Sequence, residues 1–122
     1  LFGRTTPKLE RELASKYQNI LQVKCTSLEQ PIEELSGGNQ QKVVVAKALL
    51  THPKVLMMDE PTRGIGVGSK SEIHKLLREL AAQGYAVMVI SSEMPEVLHV
   101  SDRIVAMYSG RIMRTFTWDE VT

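Results

Sequence analysis

The sequence holds a single cysteine in 122 residues. Cys25 therefore has no partner for an internal disulfide, and a cysteine-based zinc cluster is excluded. Three histidines, His52, His74 and His99, lack the spacing of metal ligands and read as surface or partly packed residues. No apolar run approaches the ~18 residues of a membrane span; Lys47 and Ser91 interrupt the longest candidates. Neither sign of charge is in excess, with 15 Lys and Arg against 14 Asp and Glu. That balance points to no nucleic-acid or lipid-surface partner. Aromatics reach only 5%, and Trp118 with the rest is expected in core or edge packing, not in a stacking platform. The chain shows no signal-peptide pattern, internal repeat or low-complexity tract. It also lacks an initiator Met, which points to a processed product or a piece of something longer. Finally, no complete phosphate-cradling loop is present.

What is there is enough for one α/β domain with a real core: 43% of residues are hydrophobic and 24% charged. From Lys8 to Val23, the residues Leu9, Leu13, Tyr17, Ile20 and Leu21 share one helical face. A loop from Cys25 to Pro31 follows, then a helix from after Ser36 to about Leu50. Val55 to Asp59 and Tyr85 to Ser91 are apolar runs expected to form parallel strands buried on both faces. Between them Ile73, Leu76, Leu77, Leu80 and Ala81 have the spacing of a helix that Gly84 stops. A short helix over 93–100 carries Pro95 in its first turn. Two strands, RIVAMY and RIMRTF, are split by the turn pair Ser109-Gly110. The order helix, helix, strand, helix, strand, short helix, hairpin belongs to a layered α/β domain.

Three stretches carry chemistry. The helix after Ser36 opens with two glycines and three amide side chains before any apolar position. Ser36 can cap it, and Gly37 and Gly38 present no side chain to block an anion drawn to the unpaired N–H groups of the helix start. The strand VLMMDE ends in Asp59 and Glu60, which a turn at the carboxyl edge of a parallel sheet brings toward one site. One acid holding a metal and the other positioning water would suit phosphoryl transfer. At the end of the next strand, Ser91, Ser92 and Glu93 either contact a terminal phosphate or, in the case of Ser92, cap the following helix.

A fourth stretch misleads. GIGVGSKS, Gly64 to Ser71, matches a phosphate loop except that Ser69 stands where the second glycine is required. It does not follow its strand at once, and a residue without Cβ is needed at that position. The better reading is a flexible interface loop built on Gly64, Gly66 and Gly68.

In order and spacing, LSGGNQQK, VLMMDEPTRGI and ISSEMPEVL resemble the ATP-binding subunits of ABC transporters, closest to the second cassette of monosaccharide importer ATPases of the ribose, galactose and xylose types. The resemblance implies the distal part of an ABC-type nucleotide-binding domain: mainly parallel sheet flanked by helices, plus part of the helical signature subdomain. Residues 1–35 would belong to that subdomain and residues 36–122 to the signature helix and the distal half of the ATPase core. Ser36, Gly37, Gly38, Asn39 and Gln40 would form the signature that binds the γ-phosphate of ATP held by the opposite cassette. Asp59 would order Mg²⁺ through water, Glu60 would be the general base, and Ser92 would stand in the place of the switch histidine. Gly64 to Gly68 would lie on the loop crossing between cassettes, with Gly66 where an aspartate is usual. The Walker A and glutamine loops would precede Leu1.

The implied activity is ATP hydrolysis coupled to monosaccharide uptake, with ATP and Mg²⁺ as ligands and this chain alone inactive. The implied partners are a second cassette and membrane permease subunits, with no nucleic acid, at the cytoplasmic face of the cell membrane. Two alternatives remain: a cassette ATPase outside transport, and an inactive interaction module. In the latter, strand edges left bare drive self-association.

Overall fold

The structure, a computed structural model, describes residues 5–121; residues 1–4 and 122, included in the expected subdomain bounds, lie outside the described part. Helix α1 (Pro7–Leu21) starts where Thr6 Oγ1 accepts a bond from the Leu9 amide at 3.1 Å, with Pro7 in the first turn. It ends at Gln22, which takes the left-handed conformation (φ 53°). Only Leu21 of its apolar face is buried, with Tyr17 packed against the core. Leu9 and Ile20 are exposed, contrary to the expected stripe. The reason is that α1 packs mainly against one neighbour, α2 (Gly37–Leu49), which covers part of the face.

A 3₁₀ turn, Ile32–Glu34, leads into α2. Strand β1 (Val55–Asp59), helix α3 (Val67–Ala82) and strand β2 (Ala86–Ile90) then make a β-α-β unit with the strands parallel and in register from Val55↔Ala86 to Asp59↔Ile90. Gly84 (φ 103°) ends the run of α3, as the sequence predicts. Short helix α4 (Met94–Val100) precedes the hairpin of β3 (Arg103–Tyr108) and β4 (Arg111–Thr117), and α5 (Trp118–Val121) closes the described chain. Ser109 (φ 48°) and Gly110 (φ 76°) are both left-handed, so the two-residue turn twists with its strands. An irregularity between Ala106 and Met107 shifts the register of this antiparallel pair.

The core follows from strand alternation. Leu56 and Met58 of β1 point inward onto Ile73, Leu76, Leu77 and Leu80 of α3 and onto Val45 and Leu49 of α2; Leu21 and Val23 join the same cluster. Burying each such side chain contributes roughly 1.5–3 kcal/mol. The expectation of strands buried on both faces is corrected here. Val55 and Met57 are 54% and 65% exposed, and Met88 and Ile90 of β2 are about as open at 51% and 49%. Among the described residues, helices cover one face of this two-stranded sheet and nothing covers the other. Ala81 is also exposed, one position outside the buried face of α3.

The expected glycine loop is shorter than the sequence implies. α3 begins at Val67, so Val67 and Gly68 are helical and only Gly64 to Gly66 remain outside. Gly66 has extended backbone (φ −65°, ψ 155°), the geometry of a residue that starts a helix, so coiling begins one residue later.

Candidate functional site

The signature stretch is built at the start of α2. Ser36 Oγ accepts from the Asn39 amide at 3.3 Å and from Asn39 Nδ2 at 2.8 Å. Asn39 Oδ1 in turn accepts from the Lys24 amide at 2.9 Å, and Gln40 Nε2 donates to the Leu35 carbonyl at 2.9 Å. The amide side chains thus brace the entry into the helix. Gly37 is exposed, whereas Gly38 is buried. A Cβ at Gly38 would stand 2.7 Å from Ser69 Cβ, and one at Gly37 would stand 3.6 Å from Ile65 Cγ1. The absence of a side chain at Gly38 therefore serves close packing against the start of α3, a role that reading both glycines as open to an anion missed.

Lys42 closes the same helix onto its neighbours. It is buried, and its ammonium donates to the Gln22 carbonyl at 3.3 Å and to Glu72 at 2.9 Å, tying α2 to the end of α1 and to α3. This hydrogen bond, and the charge behind it, hold the Glu72 carboxyl below its usual range.

Asp59 ends β1 on its exposed side, and its carboxylate makes no hydrogen bond or ion pair among the described residues. Then the chain turns sharply. Glu60 adopts φ 49°, its amide donates to the Ile90 carbonyl at 2.7 Å, and the side chain swings toward the end of β2. There the Ser92 amide donates to Glu60 Oε1 at 2.8 Å, with Arg63 Nη2 3.6 Å from the same oxygen. Glu60 and Ser92, 32 positions apart in sequence, are thereby brought together. Ser92 does not cap α4. Glu93 occupies the cap position, and it is Ser91 Oγ that accepts from the Glu93 amide, at 3.1 Å. No hydrogen bond or ion pair among the described residues links Ser36 to Gln40 with Asp59, Glu60 or Ser92.

Behind Glu60 lies a buried cluster that the sequence reading did not single out. Pro61 and Thr62 are fully buried, and the Thr62 hydroxyl donates to Glu96 Oε2 in the first turn of α4. His74 Nε2 of α3 lies 2.8 Å from the same oxygen. Burial pushes the Glu96 carboxyl up, but hydrogen bonding from Thr62, His74 and Ser91 and the charge on His74 outweigh it, so the group lies below the usual carboxylate range. The one available signal was an acid, Glu96, inside the apolar run MPEVLHV. The phosphate-loop lookalike is tied up elsewhere: Lys70 Nζ sits 3.0 Å from Glu93 Oε2.

A single unpaired carboxylate at the carboxyl edge of a strand fits a magnesium ion held mostly by water and substrate oxygens. It does not fit an all-protein cage, and among the described residues no group of three or more potential ligands could hold an ion. Among them, too, no helix is long and apolar enough to cross a membrane.

Comparison with known proteins agrees with this geometry. Residues 7–63 match the ABC transporter family. A ribose import ATP-binding protein (RbsA 2) of Rhizobium etli is 50% identical over 120 residues, covering 98% of this chain and 24% of that protein. A putative ribose/galactose/methyl galactoside import ATP-binding protein of Hahella chejuensis is 56% identical over 106 residues, covering 84% of this chain and 21% of the relative. The chain thus spans about a quarter of the length of these curated relatives. Among solved structures, the ADP conformation of MJ1267, an ATP-binding cassette of an ABC transporter, superposes with a TM-score of 0.81 at 28% identity, over 99% of this chain and 47% of that one. A dimeric post-hydrolysis cassette, MJ0796 bound to ADP and Pi, shares the fold with a TM-score of 0.77 at 24% identity, over 97% of this chain and 51% of that one. With its signature helix, its acidic strand end and relatives half identical along nearly its whole length, the chain belongs to the family of ABC transporter ATP-binding domains.

Proposed function

We propose that this chain is the distal part of an ATP-hydrolysing cassette that drives monosaccharide import. The carrying observation is Glu60. One carboxylate oxygen is held by the Ser92 amide at 2.8 Å, which leaves Oε2 to take a proton from an attacking water. The side chain is 19% exposed, so water reaches it while the loop holds it still. Asp59 would hold Mg²⁺ through water, and magnesium there would neutralise phosphate charge. Ser36, Gly37, Asn39 and Gln40 would face the terminal phosphate of ATP bound by a second cassette, with Gly38 supporting them from behind. Gly37, exposed at the start of α2, offers a backbone N–H for such a contact. Residues up to 35 would belong to the helical subdomain and those from 36 onward to the ATPase core. The names of the relatives support ribose or galactose as the sugar class; an import role would pair the cassette with membrane permease subunits at the inner face of the membrane.

The test is phosphate release by the complete cassette protein carrying this sequence. Glu60→Gln preserves shape and removes the base, so kcat should fall by about 10²–10⁴-fold. Turnover that survives the substitution would reject Glu60 as the base.

A further inference from the structure

Glu60 holds a left-handed backbone that side chains rarely adopt, and such a conformation persists only where its surroundings over-determine it. Two residues on, Thr62 is 2% exposed, and its hydroxyl is bonded to Glu96. Four residues before Glu96 stands Ser92, whose amide holds the Glu60 carboxylate at 2.8 Å. The loop after β1 is therefore tied twice to the segment that follows β2, once at the surface through Glu60 and Ser92, once in the interior through Thr62 and Glu96 in the first turn of α4. The interior link is itself anchored, because His74 of α3 meets the same Glu96 oxygen at 2.8 Å.

A carboxylate 4% exposed is a poor choice for stability alone, since an apolar group of the same volume would serve as well or better. It makes sense as a means of fixing position. From the paired links we infer that Glu96 is a positioning residue: through Thr62 it sets the distance between the Ser92 amide and the Glu60 carboxylate, and so the aim of the base. The inference deepens the proposed function and rests on its assignment of Glu60.

Thr62→Val removes the hydroxyl at nearly constant volume, and Thr62→Ser keeps it. In the 122-residue chain, hydrogen exchange followed by NMR should show the Ser92 amide opening at least about tenfold faster in T62V than in T62S, with the Ile73 amide unchanged. In the complete cassette protein, T62V and Glu96→Gln should each lower kcat by roughly tenfold, a part of what a general base supplies, with KM for ATP within about twofold of the parent. T62S should restore kcat, and T62V/E96Q should be no worse than either single variant. An unchanged Ser92 amide in T62V overturns the inference. So does full kcat in T62V while E60Q abolishes turnover, and so do additive losses in the double variant. Turnover insensitive to E60Q instead rejects the proposed function itself. Should E96Q fail to fold, the T62V and T62S pair decides alone.

Discussion

Four residues other than glycine take positive φ: Gln22, His52, Glu60 and Ser109. Three of them end helices or make a turn, where the conformation is ordinary. Glu60 is different, because it carries the carboxylate proposed as base. The backbone strain there is of order 1–3 kcal/mol, offset by the amide bonds to Ile90 and from Ser92 and by the buried Pro61 and Thr62. In the fold, the Glu96 carboxyl lies below its ordinary value of 4.5. The stability it contributes is therefore complete above about pH 4.5 and lost as pH falls through the lower folded value. Urea unfolding of wild type and Glu96→Gln should show a gap just above that point, about 1–3 kcal/mol for hydrogen bonds to a charged group. The gap should close on acidification. A gap that widens in acid would contradict the assignment.

At the scale of elements, the start of α2 and the start of α3 are held apart by almost nothing. Gly38 lies over Ser69, and a Cβ placed there would meet Ser69 Cβ at 2.7 Å, closer than carbon atoms approach without something moving. Ser69 Cβ is fixed to the first turns of a helix and cannot swing away. Gly38→Ala should destabilise the chain by about 1–3 kcal/mol as overpacking, more than the gain of under about 1 kcal/mol from better helix propensity. The double variant G38A/S69G should recover most of that loss, whereas G38A/S69A, which keeps the Cβ, should not. Thermal unfolding of the four proteins distinguishes the cases. Equal destabilisation in both double variants would show that the clash lies elsewhere.

For the whole molecule, the uncovered face of the β1–β2 sheet matters most. Val55, Met57, Met88 and Ile90 present apolar surface where a folded domain of this composition ordinarily places another layer. The chain alone should therefore self-associate as concentration rises. Met57 and Met88 are register partners across the strands. Replacing them together, Met57→Glu with Met88→Lys, puts opposite charges side by side on that face and leaves Leu56 and Met58 on the core side undisturbed. Sedimentation velocity should then show a shift toward monomer. An unchanged distribution would move the association surface to the β3–β4 hairpin, where Met107, Ile112 and Met113 are also exposed.

Much of the fold was legible in local chemistry. Ser36 marks a helix start by capping, Gly84 and Gly110 mark a stop and a turn by their freedom at positive φ, and i, i+3, i+4 spacing in α3 marks Ile73, Leu76, Leu77 and Leu80 for burial. These signals act within a turn or two of chain, so sequence alone determined them, together with the family to which the three motifs belong. Which side of a strand is covered is another matter. Val55 and Leu56 are equally apolar in sequence, yet one is 54% and the other 4% exposed, because coverage depends on what packs there. The same holds for Gly38 against Ser69, for the Ser92 amide on Glu60, and for Thr62 and His74 converging on Glu96. Each joins residues far apart along the chain, and only the tertiary structure sets the ångström-scale separations on which a clash, a hydrogen bond or an aimed carboxylate depends.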